Sequence, residues 1–187
     1  MQQVSETGAR RQRVVGALLA ASAILATAFV MGRAAAGLTI GVAACLALWL
    51  ALRWGPCPSQ LRWAYGASIV VQTAHLGEEY GAGFYRVFPE RFGYTWSAAR
   101  FLAFNLTWLV VFVVAYVGLH RGARLAYLPV LFLAVVGGIG NGIVHLVLAA
   151  QAGGYFAGLY TAPLCLVAGT AVLNMLAGAL VRAAPPN

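Results

Sequence analysis

The sequence contains no lysine and no aspartate, and its only acidic residues are Glu6, Glu78, Glu79 and Glu90. Charged residues make up 9% of the chain, where a soluble domain carries roughly a quarter. So few charges cannot solvate the surface of a water-soluble bundle, which would be left apolar and prone to aggregate. Cysteine is also sparse. Cys45, Cys57 and Cys165 are an odd number without metal-type spacing, which excludes a disulfide framework. Two of them read as small buried hydrophobes and Cys57 as a loop thiol. All 12 basic residues are arginine, and the net charge is +8. These arginines sit in short breaks between apolar runs, where they set membrane orientation, so no nucleic-acid partner is expected. An arginine-only basic complement in a chain rich in Ala and Gly points to a GC-rich bacterial genome.

What the chain has in abundance is hydrocarbon: 62% of its residues are hydrophobic and the mean hydropathy is +0.83. The apolar residues come in runs of about 20, the length that crosses a bilayer. They predict six spans at about 14–32, 36–53, 62–83, 97–119, 126–150 and 157–181. Gly32-Arg33, Trp54-Gly55-Pro56-Cys57-Pro58, the stretch from Arg86 to Tyr94, Arg121-Gly122-Ala123-Arg124 and Gly153-Gly154 separate them. The expected fold is therefore all-α, a polytopic transmembrane helix bundle of about six spans. The spans are expected to pack in one compact bundle.

With the N-terminus inside, Arg10, Arg11, Arg13, Arg53, Arg62, Arg121, Arg124 and Arg182 are cytoplasmic; Arg33, Arg86, Arg91 and Arg100 are outside. This asymmetry predicts a multi-pass protein of the bacterial cytoplasmic membrane with both termini in the cytoplasm. The first span reads as an uncleaved anchor, and the tail 183–187 as frayed.

Polar groups inside spans are expensive and mark function by default. Glu78 and Glu79 follow His75 at i+3 and i+4, so both carboxylates can reach the imidazole on a helix. Gln72 lies one turn back on that side. A second constellation is Asn141 and His145, at i and i+4, and a third is Asn105 with Trp108 one turn along. At about 1.5 Å per residue, His75, Asn105, Asn141 and His145 all fall roughly 8–13 Å from the outer ends of their helices, in one layer. Gly138 and Gly142 form a small-residue pair for close helix approach, and Gly77 and Gly81 form another. Tyr85, Tyr94, Trp96, Tyr155 and Tyr160 read as an interfacial aromatic belt.

The string His75-Leu76-Gly77-Glu78-Glu79 resembles the signature of the HXXEE family, bacterial membrane proteins named for that motif. The resemblance extends to the Asn141…His145 helix and to Gly154-Tyr155-Phe156-Ala157-Gly158-Leu159-Tyr160-Thr161-Ala162-Pro163. Ala157 stands where the family often has proline. The resemblance covers about residues 65–182, so it implies that residues 1–60 are a two-span N-terminal addition to an HXXEE-like domain over 61–187. It also implies that His75, Glu78 and Glu79 are the family's defining residues in this chain, and it names no reaction.

Two neighbouring carboxyls in an apolar setting can divide roles, one protonated as acid and one ionised as base. The residues therefore predict a membrane enzyme acting on a lipophilic small molecule by acid/base isomerisation or cyclisation. His75, Glu78, Glu79 and His145 would be catalytic, and Gln72, Asn105, Trp108 and Asn141 would bind the substrate. No cofactor is expected on this reading. Its alternative is a mononuclear zinc or iron enzyme with two histidines and one carboxylate as ligands. A proton-coupled transporter and a structural membrane protein follow. Membrane lipid and the lipophilic substrate are the expected partners, and the sequence sets no oligomeric state.

Overall fold

A computed structural model describes residues 6–31, 35–52 and 54–183. The break at Gly32-Arg33, Arg53 and residues 184–187 of the tail lie outside the described residues, as does the side chain of Arg182. Among those described, all regular structure is helical.

The long helices follow the apolar runs. They are α1 (Glu6–Met31), α2 (Ala35–Ala51), α3 (Ser59–Gly81), α5 (Ala98–His120) and α8 (Ala162–Ala183). Between Arg124 and Ala152 runs one composite rod. It begins with a 3₁₀ turn at Arg124–Ala126, continues as α6 (Tyr127–Phe132), widens to a π-helix at Leu133–Gly140 and ends as α7 (Asn141–Ala152). Ala98–His120 and Arg124–Ala152 are long and apolar enough to cross a membrane, whereas Ala36–Ala51 and Ala162–Gly178 are apolar but shorter.

Local chemistry sets the ends. The Ser97 hydroxyl accepts from the Arg100 amide at 3.2 Å and caps α5. Gly153, at φ +69°, turns the chain out of α7. Two expectations change. The stretch from Arg86 to Tyr94, read as a break, includes most of a short helix, α4 (Phe84–Glu90). The last helix starts at Ala162 instead of 157, because residues 153–161 fold back across the end of the bundle.

Two cores result. The larger joins α1 and α2 to α3, α5, α6 and α8 through Trp49, Tyr65, Phe112, Phe132 and Val172. The N-terminal pair is tied in by backbone acceptors: Trp49 Nε1 donates to the Arg124 carbonyl at 3.0 Å, and the Tyr127 hydroxyl to that of Gly55 at 3.0 Å. The smaller core is aromatic, built from Phe84, Trp96, Phe101 and Phe156 with Leu76 and Leu148. Helix α8 packs on the π segment and α7 backbone to backbone. A Cβ on Gly138 would lie 2.6 Å from the Gly169 Cα, and one on Gly142 would lie 2.8 Å from the Ala162 carbonyl oxygen. The expected Gly138/Gly142 pair is thus a contact with α8. Gly77 faces open space.

Candidate functional site

His75 and Glu79 stand one turn apart on α3, and His145 reaches them from α7. Both histidines are fully buried and Glu79 is 5% exposed. One carboxylate oxygen, Glu79 Oε1, lies 3.1 Å from His145 Nε2 and 3.5 Å from His75 Nε2. The two rings meet edge to face with centroids 4.7 Å apart. His75 Nε2 has no hydrogen-bond partner among the described residues.

The far nitrogens are held firmly. His145 Nδ1 is 2.7 Å from the Ala157 carbonyl oxygen, and His75 Nδ1 is 2.6 Å from Thr161 Oγ1. Both partners belong to the segment that folds back between α7 and α8. Gly158 of that segment, at φ +93°, lies flat on the two rings: a Cβ there would come within 2.9 Å of His75 Cε1 and closer still to His145. Only glycine allows the backbone this approach and this conformation. Phe84 covers the other side of His145, with centroids 5.1 Å apart. The Cys165 thiol of α8, also buried, interacts with His75.

Glu78 points away from this cluster. Its Oε1 accepts from the Tyr155 hydroxyl at 2.9 Å and the Tyr160 amide at 3.0 Å, and its Oε2 accepts from the Thr161 amide at 2.8 Å and hydroxyl at 2.6 Å. Four donors fill the four lone-pair positions of an ionised carboxylate. Partial burial, and then contact with this carboxylate, hold the Tyr155 phenol above its ordinary value. The two adjacent glutamates, expected to act side by side, thus face different partners. Glu79 meets the histidines directly, and Glu78 reaches His75 only through Thr161.

The proposed substrate-binding residues are dispersed. Asn105 donates to the Phe101 carbonyl on its own helix at 2.9 Å. Trp108 stacks on Phe132 at 4.3 Å, in the larger core. It lines an apolar groove of about 840 Å³ that also touches Leu19, Val42, Cys45 and Phe104, away from the histidines. Gln72 is half-buried against the Gly137 backbone, and Asn141 is half-buried one turn before His145. The depth estimate brought His75 and His145 to one level, where they meet. It carried no information on how Asn105 is rotated about α5.

Thr161, Gly158 and the Ala157 carbonyl complete the site and were not singled out by chemistry in the sequence. The available signal was a glycine and a threonine within an aromatic, non-helical stretch just before a Pro-containing helix start. No family model, curated protein or solved structure matches the chain. Chemically, the arrangement is a dry carboxylate between two imidazoles, which can bind a cation or exchange protons.

Proposed function

We propose that the protein is an integral-membrane enzyme whose reaction centre is His75, Glu79 and His145, acting on a lipophilic small molecule by proton transfer. The observation that carries this reading is the convergence of both Nε2 atoms on one oxygen of a buried carboxylate. A group of this kind is costly to bury and is retained at functional sites in membranes. Membrane residence itself is supported by α5, whose most apolar 18-residue window is only 17% buried within the fold. Val110, Val113, Val114 and Val117 are left exposed on it, a face that lipid would solvate and water would not. On this reading the chain crosses the bacterial cytoplasmic membrane about six times, with both termini inside, and belongs with the HXXEE-motif proteins it resembles.

Glu79 is the group placed to move a proton, with the two imidazoles as its partners. Glu78 then acts as a positioning residue, anchoring the segment that orients His75 and His145. Untargeted lipid and metabolite profiling tests the reading in membranes with the wild-type chain, without it, and with Glu79→Gln. The expected result is a lipophilic substrate–product pair whose ratio depends on the protein. It should return to the protein-free value in Glu79→Gln, since a positioned acid or base contributes about two to four orders of magnitude in rate. A Glu79→Gln profile identical to wild type, with normal expression, would sink the proposal.

A further inference from the structure

We infer that His75, Glu79 and His145 bind one divalent transition-metal ion of the zinc or iron(II) class. The inference rests on reading the cluster as a reaction centre instead of a polar joint between helices, and it names the cofactor of that centre: with the ion bound, Glu79 would serve as a ligand, and the ion would supply the proton by acidifying water.

The hydrogen-bond partners fix which ring nitrogens carry hydrogen. A backbone carbonyl only accepts, so His145 Nδ1, 2.7 Å from the Ala157 oxygen, is the protonated nitrogen of that ring. Thr161 has a single hydroxyl hydrogen, and the geometry gives it to Glu78 Oε2 at 2.6 Å. Toward His75 the threonine therefore offers only a lone pair, and His75 Nδ1 donates to it. Each neutral imidazole is thereby locked with its Nε2 lone pair exposed. Both lone pairs face Glu79 Oε1, itself an acceptor. Three acceptors converge on one buried point where His75 Nε2 has no hydrogen-bond partner among the described residues, and the Cys165 thiol that contacts His75 is only a weak donor.

A cation resolves this arrangement. The three ligand atoms lie within 4.8 Å of one another. Tetrahedral zinc with bonds of about 2.0–2.1 Å separates its ligands by roughly 3.3 Å, between the observed 3.1 and 3.5 Å. Two histidines and one carboxylate also leave positions open for water or substrate, as in catalytic zinc and non-haem iron sites. The outer contacts fit as well. Ligand histidines characteristically donate their second N–H to a carbonyl or toward a carboxylate. Here His145 does the former, and His75 does the latter through Thr161 to Glu78. The charge closes too: one divalent ion is balanced by Glu79 in the centre and by Glu78, two hydrogen bonds behind His75 through Thr161.

The competing occupant is a pair of protons, one on each Nε2, and metal uptake separates the two. The full chain, purified in detergent, is stripped with chelator and titrated with zinc. Cobalt(II) serves as a spectroscopic probe, and element analysis gives the stoichiometry. One ion per chain is expected, with a visible cobalt spectrum of low coordination number and a higher melting temperature in the metal-bound form. Glu79→Gln and His145→Ala should lose stoichiometric uptake, while His120→Ala should keep it. Thr161→Val leaves all three ligands in place, so it serves if the ligand variants do not fold; it should weaken binding by about 10- to 100-fold. A folded wild-type chain that takes up no more zinc or cobalt than His145→Ala overturns the inference. If Glu79→Gln still abolishes metabolite conversion in that case, the reaction centre stands as a proton-only site. Stoichiometric metal with conversion unchanged in Glu79→Gln would instead remove the proposed reaction and leave the metal site.

Discussion

Gly158 lies on His145 so closely that its missing side chain is part of the site. A β-carbon there would overlap the His145 ring and stand 2.9 Å from His75 Cε1, at a backbone φ of +93°. Gly158→Ala therefore meets both a steric clash and a conformational one. We expect a loss of about 1–3 kcal/mol from backbone strain alone, read as a lower melting temperature. Zinc uptake should fall with it, because either ring can relieve the overlap only by leaving Glu79.

Glu78→Gln separates anchoring from chemistry. The carboxylate accepts four hydrogen bonds from Tyr155, Tyr160 and Thr161, and a glutamine amide turns one acceptor into a donor that faces donors. The expected cost is about 1–3 kcal/mol, with protease cleavage appearing within residues 153–161. Tyr155→Phe, which removes one partly exposed donor, should cost less. Glu79→Gln should instead leave that segment protected. Equal protease sensitivity in both variants would remove the distinction between the two glutamates.

Asn105→Ala and Trp108→Ala should leave metal uptake unchanged. Asn105 is bonded to its own helix, and Trp108 stacks in the other core. Only Trp108→Ala should destabilise markedly, by about 3–5 kcal/mol as for large aromatic truncations. Loss of zinc in a folded Asn105→Ala chain would mean that α5 takes part in the centre.

Much of this architecture was legible in the chain because apolar run length is a strong signal. The run read at 97–119 is Ala98–His120, and the one at 126–150 is the rod Arg124–Ala152. The pairing of His75 with Glu79 follows from one helical turn, and the meeting with His145 from equal depth. What periodicity could not supply was rotation and return. Asn105 has the right depth and the wrong bearing. The direction of Glu78 depends on where residues 153–161 come back, and those residues form no helix whose repeat could be followed.

Two glycines on different helices give a paired test of packing. Gly138→Ala would set a β-carbon 2.6 Å from the Gly169 Cα, where backbone must move, so we expect a loss of about 1–3 kcal/mol. Gly77→Ala meets nothing within 4 Å and should be neutral or stabilising by up to about 1 kcal/mol. Thermal melts in one detergent compare the two directly.

Topology can be checked independently of any chemistry. Reporters fused after Asn187 and inserted beside Glu90 should lie on opposite faces of the membrane. Finding both on one face would remove the six-span arrangement proposed above.

The π segment at Leu133–Gly140 has a consequence for how this protein tolerates change. A π-turn uses about 4.4 residues where an α-turn uses 3.6. The wider turn makes the rod lag behind a regular helix of the same residue count. His145 comes after that lag, so its heading toward Glu79 is set by residue count upstream as much as by any contact it makes. A one-residue deletion there can be taken up by tightening to a regular α-turn, whereas a deletion between Asn141 and His145 would shorten the rod by only about 1.5 Å yet turn everything beyond it by roughly 100°. Length alone would rank the two deletions as equal, but only the second would turn the His145 imidazole away from Glu79.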